Sequence, residues 1–214
     1  MAEDSTQPPH ATRFVETSRG KLSYSQLGPL LAEPDLRVLQ DIEDGVFATR
    51  PLDESLLLDF HHNICGDLTP DWAGKFRATE VKVGRHSPPP SHQSPMLVRD
   101  YFADLNARLA DLSAGRETLL LETLAFAEGR LLFIHPFADF NGRTTRLLLA
   151  EILRRQELPP VELAPADDTV RKNYIQALEA TRSEQPCKLR PLATNASART
   201  PSAMPRPWDC SNPA

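Results

Sequence analysis

Apolar residues recur at helical spacing along most of the chain. In SPMLVRDYFADLNARLADLSAG, Met96, Leu97, Tyr101, Leu105, Leu109 and Leu112 fall on one stripe, which predicts an amphipathic helix. LDESLLLDFHHNICG predicts another, with Asp53 near its cap and Gly66 at its end. RETLLLETLAFAEGRLLFI and GRTTRLLLAEILRRQEL are apolar almost all round, as helices in the middle of a bundle are. LGPLLAEPDLRVLQDIEDG predicts a short helix broken at Pro34, then a second that stops at Gly45. DDTVRKNYIQALEATRS predicts an amphipathic closing helix. Only RATEVKVGR alternates like a strand, with Thr79, Val81 and Val83 on one side and Glu80 and Lys82 on the other. The expected class is all-α, a helical bundle with one small β-hairpin at this segment.

The apolar pattern fades at both ends. Six of the 20 prolines fall in the last 29 residues, among Ser, Ala, Thr and Asn, a mixture that buries too little apolar surface to offset its ordering entropy. The expected organisation is an N-terminal helical extension over 1–50, the main domain over 51–192 and a flexible tail over 193–214. At 214 residues, with 40% hydrophobic and 25% charged content, the chain has the composition of an ordinary globular domain with a sizeable core. A net charge of −5 argues against a nucleic-acid groove. The three cysteines, Cys65, Cys187 and Cys210, are widely spaced and form no disulfide framework, which fits a reducing cytosol. The first residues lack an apolar leader core, and no run reaches the ~18 apolar residues of a membrane span. A cytoplasmic protein is expected; delivery into another cell by a secretion system would leave no recognisable mark.

One stretch breaks the pattern. RLLFIHPFADFNGRTTRLLLAEILRR seats His135, Asp139, Asn141, Gly142, Arg143 and Arg146 between the two oiliest segments. Pro136 stops the first helix, and Asn141–Gly142 lead into the next. Amides free at a helix N-terminus, with the dipole's positive end, favour an anion. Arg143 and Arg146, three apart, share a face near that end, and two guanidinium groups suit a polyphosphate. Asp139 is a candidate Mg²⁺ ligand beside phosphates. His135 has the pKa to take a proton from a hydroxyl. Together these groups spell phosphoryl or nucleotidyl transfer. Taken singly, each has a plainer role: a capping histidine, an aspartate capping the next helix, a solvated arginine pair.

The segment HPFADFNGRTTR resembles the signature loop of the Fic family, H-x-F-x-D/E-G/A-N-G/K-R-x-x-R. It matches at His135, Phe137, Asp139, Asn141, Gly142, Arg143 and Arg146. LTPDWAGKFRATEVKVGRHSPPP resembles the segment leading into the family's target-docking flap, and YIQALEATRS its closing helix, so the likeness covers roughly 52–192. The resemblance implies a Fic-fold bundle and a protein adenylyltransferase that transfers AMP from ATP to a Ser, Thr or Tyr hydroxyl of a target protein. It implies that His135 is the base, Asp139 holds Mg²⁺, Asn141, Gly142 and Arg143 cradle phosphates, Arg146 engages the γ-phosphate and Phe137 anchors the loop. It also implies that Thr79, Val81, Val83 and Gly84, in the flap, align the target by main-chain pairing, and that Tyr174 faces the base from the closing helix that runs past it; core packing is the plainer role of Tyr174. Glycine at 142, where phosphate-transferring relatives carry lysine, favours nucleotidyl transfer.

Two features leave alternatives open. Phe140 stands where the family has a small residue. It either loosens the anion site, since an aromatic resists φ > 0, or packs aside and leaves the amides in place. The first outcome describes a weakened nucleotide- or partner-binding protein; an intact site with another donor, UTP, GTP or another phosphate-containing compound, is a further alternative. TRFVET places Thr12 and Glu16 in part of the family's inhibitory helix pattern, S/T-x-x-x-E-G/N, with Thr17 departing at the last position; Glu16 is the candidate inhibitory glutamate, and a separate small antitoxin partner is an equal option. His61 and His62 diverge by ~100° on a helix and cannot share a metal; an exposed or half-buried pair is expected. His86 and His92 flank three prolines as solvated loop histidines, and Trp72 and Phe76 are expected as packing anchors beneath the flap.

Overall fold

Ser23 turns the chain from strand to helix. Its hydroxyl accepts the Gln26 N–H and the Gln26 side chain returns to the Ser23 N–H at 2.9 Å, a reciprocal cap that satisfies two otherwise orphaned donors. The computed structural model describes residues 14–84, 86–112 and 117–159. Tyr174, the closing helix, the C-terminal tail and Thr12 lie outside the described residues. Strands β1 (Phe14–Thr17) and β2 (Gly20–Ser23) pair antiparallel, Phe14 opposite Ser23. Among the described residues five α-helices follow: α1 (Tyr24–Glu43), α2 (Glu54–Cys65), α3 (Ser94–Ala110), α4 (Glu117–Ile134) and α5 (Asn141–Arg155). The class is all-α with a two-stranded ribbon. Among the described residues no helix is long and apolar enough to cross a membrane.

The ribbon is not where the alternation placed it. Residues 79–83 form no strand; Val83 and His86 make one isolated bridge, with N–H to O distances of 3.0 and 2.9 Å. The true hairpin is β1–β2, pinned to the end of α2 by Ser18, whose N–H reaches Leu68 O at 2.7 Å. Glu16 therefore sits on a strand, exposed and ion-paired with Lys21 at 3.2 Å. The helical setting that an inhibitory glutamate needs is absent at 14–17, because the tight turn at Ser18–Arg19 closes a hairpin.

Helix α1 also runs unbroken through Pro29 and Pro34, against the expected break. Each proline inside a helix costs about 3 kcal/mol. Leu27, Leu31, Val38 and Ile42 are all buried on one face of α1, at about 1.5–3 kcal/mol each, so the continuous stripe outweighs both. Asp53 caps α2 as expected, accepting the Leu56 N–H at 3.1 Å, and Gly66 ends it. In α3 Tyr101 and Leu105 are buried with Val98 and Phe102, whereas Met96 is exposed. Helix α5 supplies Leu147, Leu148, Leu149, Ile152 and Leu153 to the core and packs against α1, α2 and α4. At its far end the buried Glu151 carboxylate holds Arg154 and Arg155, and Arg155 donates to the carbonyls of Phe47 and Arg50 at 2.8 Å. Helix α5 is thereby held from three sides.

Candidate active site

Helix α4 ends when His135 takes a left-handed conformation, φ 50°, its N–H still donating to Leu131 O at 3.0 Å. Pro136 prevents a further turn. The loop then closes on itself through Asn141, whose side chain accepts the Phe137 N–H and donates to the Phe137 carbonyl, both at 2.9 Å. That reciprocal pair mimics a backbone turn and consumes the Asn141 amide, so Asn141 faces a ligand only through its main chain. Phe137 is buried and stacks on His61 at 3.9 Å between centroids and 4° between planes, the anchor expected of it.

Phe140 is the second left-handed residue, φ 55°, and it is the N-cap of α5 with no side-chain cap bond. Its ring is buried and stacks on Trp72 at 5.6 Å. This accounts for a small residue at such a position elsewhere: a Cβ at positive φ costs about 1–2 kcal/mol, which the Trp72 contact and burial offset here. The ring packs aside and the helix start keeps its geometry. The first intrahelical bond is Thr144 N–H to Phe140 O at 3.1 Å. The main-chain N–H groups of 141–143 therefore belong to the uncapped positive end of α5.

The loop divides its labour by burial. Phe137, Phe140, Asn141, Thr144 and Thr145 are buried, while His135, Asp139, Gly142, Arg143 and Arg146 are half-buried. Arg146 bends back toward the helix start; a Cβ added at Gly142 would meet its Nη1 at 3.6 Å. Helix α1 reaches two of these groups. The Tyr24 hydroxyl donates to Asp139 Oδ2, and Arg143 Nη1 pairs with Asp35 Oδ2. Asp139 Oδ1 accepts the Phe140 N–H at 2.8 Å, so this aspartate stiffens the loop and is not the helix cap. The other Asp35 oxygen, Oδ1, is buried without a hydrogen bond.

Two supporting residues went unread in the sequence. His61 is fully buried, not exposed or half-buried. Its Nδ1 accepts the Gly74 N–H at 2.9 Å, so its Nε2 carries the proton and faces the Asp139 carbonyl at 3.3 Å. Burial pushes its pKa down to about 4, against a smaller upward pull from the Asp139 carbonyl. The apolar period of α2 (Leu57, His61, Ile64) was the available signal. Arg77, with its side chain entirely buried, donates through Nε to the His135 carbonyl at 2.8 Å and through its main-chain N–H to Pro136 O at 2.9 Å. Nothing in its local pattern marks it. Of the flap residues, Thr79 and Gly84 are exposed, and Val81 and Val83 half-buried. His86, expected in solvent, donates from Nε2 to Phe133 O at 3.0 Å. Trp72 and Phe76 pack on Phe140 and Phe137 as anchors.

The sequence model of the Fic/DOC family matches residues 51–153. A protein adenylyltransferase Fic of Culex quinquefasciatus is 38% identical over 120 residues, 56% of this chain and 23% of that protein. Fic-1 (residues 134–508) of C. elegans superposes with a TM-score of 0.53 at 25% identity, covering 75% of this chain and 51% of that one. The N-terminal Fic domain of a Bartonella effector protein superposes at 0.62 and 17% identity over 82% of each chain, a likeness of fold. The chain spans less than a quarter of the length of that curated relative.

Proposed function

The chain carries a Fic/DOC family domain over residues 51–153, and from that premise we propose that it is a protein adenylyltransferase using ATP. The observation that carries the reading is that His135, Asp139, Arg143 and Arg146, all half-buried, lie in the loop and first turns of α5, whose start has no side-chain cap. Relatives named protein adenylyltransferase Fic support the choice of adenylyl transfer.

In this reading His135 removes the proton from a Ser, Thr or Tyr hydroxyl of the target as that oxygen attacks the α-phosphorus. The bond from that phosphorus to the bridging oxygen breaks, pyrophosphate leaves, and AMP remains esterified to the target. The main-chain amides of 141–143, with Arg143 and Arg146, neutralise the phosphates, and Arg146 takes the γ-phosphate. No group of three or more His, Cys, Asp or Glu side chains converges among the described residues. A lone carboxylate beside phosphates suits Mg²⁺, which keeps most of its waters, and Asp139 would hold it. Asp139 Oδ2 fits that role, because its Tyr24 hydroxyl partner is one a hydrated cation can replace. When bound, Mg²⁺ would neutralise phosphate charge. The segment containing Thr79, Val81, Val83 and Gly84 docks the target backbone, and Tyr174 is assigned to the base.

The test is incubation of wild type and His135→Ala with Mg²⁺ and α-labelled ATP, GTP, UTP or CTP separately, with intact mass as readout. A gain of one AMP from ATP, absent in the variant, is expected. Label from another nucleotide reassigns the donor, and no label from any of the four refutes the transferase.

A further inference from the structure

Arg77 lies at the junction of two segments that the reaction must bring together. Its Nε donates to the His135 carbonyl and its main-chain N–H to Pro136 O. On the other side its Nη1 donates to Thr79 O at 3.1 Å and Glu80 Oε2 at 3.3 Å, and its Nη2 to the Pro89 carbonyl. Glu80 continues the chain of contacts, since its Oε1 accepts the Ser91 N–H at 2.9 Å. His86 adds its bond to Phe133 O. One of the last carbonyls of α4, Phe133 O, and the two carbonyls just past its end, at His135 and Pro136, thus accept from donors in 77–86.

We propose that Arg77 is a positioning residue that couples the target-docking segment to the base, so that order at Thr79–Ser91 sets the orientation of His135. The inference rests on the adenylyltransferase reading for its consequence, though not for its geometry. His135 stands at φ 50°, a conformation a non-glycine residue keeps only when its surroundings fix it. Arg77 supplies that fixation from a side chain 0% exposed. A planar fork of donors serves three carbonyls and the Glu80 carboxylate at once, as a flexible ammonium cannot. A target strand laid along Thr79–Val83 tightens the same carbonyl that Arg77 grips, and the pull passes to the His135 backbone.

Two measurements on the full chain test this. The first is amide hydrogen exchange of wild type and Glu80→Ala, a substitution on the exposed flap surface that leaves the core intact. Exchange should rise about fivefold or more at Val83 and Ser91 and also at His135 and Phe137, with 56–64 unchanged. A rise confined to the flap overturns the coupling. The second is the steady-state transfer rate of Arg77→Lys. Turnover should fall roughly 10- to 100-fold while the KM for ATP stays within about twofold, because misplacement and not lost binding is the cause. Unchanged turnover, or a fall matched by lost ATP affinity, overturns it. If wild type labels nothing with any nucleotide, the adenylyltransferase reading fails by itself, and the exchange comparison still decides the coupling.

Discussion

Asp35 should restrain nucleotide binding, and replacing it with asparagine should strengthen that binding. The carboxylate occupies Arg143, the guanidinium assigned to phosphate, and side-chain exposures of 30% for Arg143 and 18% for Asp35 place the pair at the edge of the core. A phosphate on the other side of the same guanidinium would sit roughly 6 Å from the carboxylate. At an effective dielectric of roughly 40 for so partly exposed a site, Coulomb's law gives about 1.4 kcal/mol of repulsion between two unit charges. That corresponds to about tenfold in affinity. Asp35→Asn removes the charge and keeps the shape, and Oδ1, buried without a hydrogen bond, has no partner to lose. Titration calorimetry with ATP, with and without Mg²⁺, should show about tenfold tighter binding in Asp35→Asn. The gain should shrink as salt is raised. Equal or weaker binding in a variant of unchanged melting temperature would refute the competition.

Two further outcomes concern the scaffold. Phe140→Gly should be more stable than Phe140→Ala by about 1 kcal/mol in urea unfolding, although both lose the Trp72 stack, because only glycine is unstrained at φ 55°; the reverse order would mean that no strain is stored there. His61 is neutral in the fold with a pKa pushed to about 4, so the unfolded chain binds more protons between about 4 and 6.5 and stability rises with pH across that window. The contribution, about 3 kcal/mol, is complete above 6.5 and lost as pH falls toward 4. His61→Gln, measured by denaturant titration with a chelator present, should flatten that slope; an identical slope would assign it to other groups.

The extent to which the site was legible follows from the range of the interactions involved. His135, Asp139, Arg143 and Arg146 lie within twelve residues, and their grouping needs only one helix stop and one helix start, both written locally by Pro136 and by the apolar run from Leu147. The anchoring of Phe137 was legible for the same reason. Arg77 was not, because its partners are carbonyls at 79, 89, 135 and 136, and main-chain oxygens leave no trace in a sequence. The misplaced hairpin has a related cause. Alternation at 79–83 shows which residues suit a strand, whereas a strand also needs a partner edge, and β1 found one in β2.

The sequence by itself determined the helical class, the caps at Asp53 and Gly66, and the gathering of polar residues in one loop, since these depend on local propensity and on apolar period. The tertiary structure alone decided that α1 runs through two prolines, that His61 is buried beneath the loop, and that Phe140 keeps a left-handed backbone by stacking on Trp72. It also decided that Tyr24 and Asp35 of α1 meet Asp139 and Arg143 across more than a hundred residues of chain. Each of these is a choice in which long-range burial or charge outweighs a local preference of one to a few kcal/mol. Such a balance can be read only once the partners are in place.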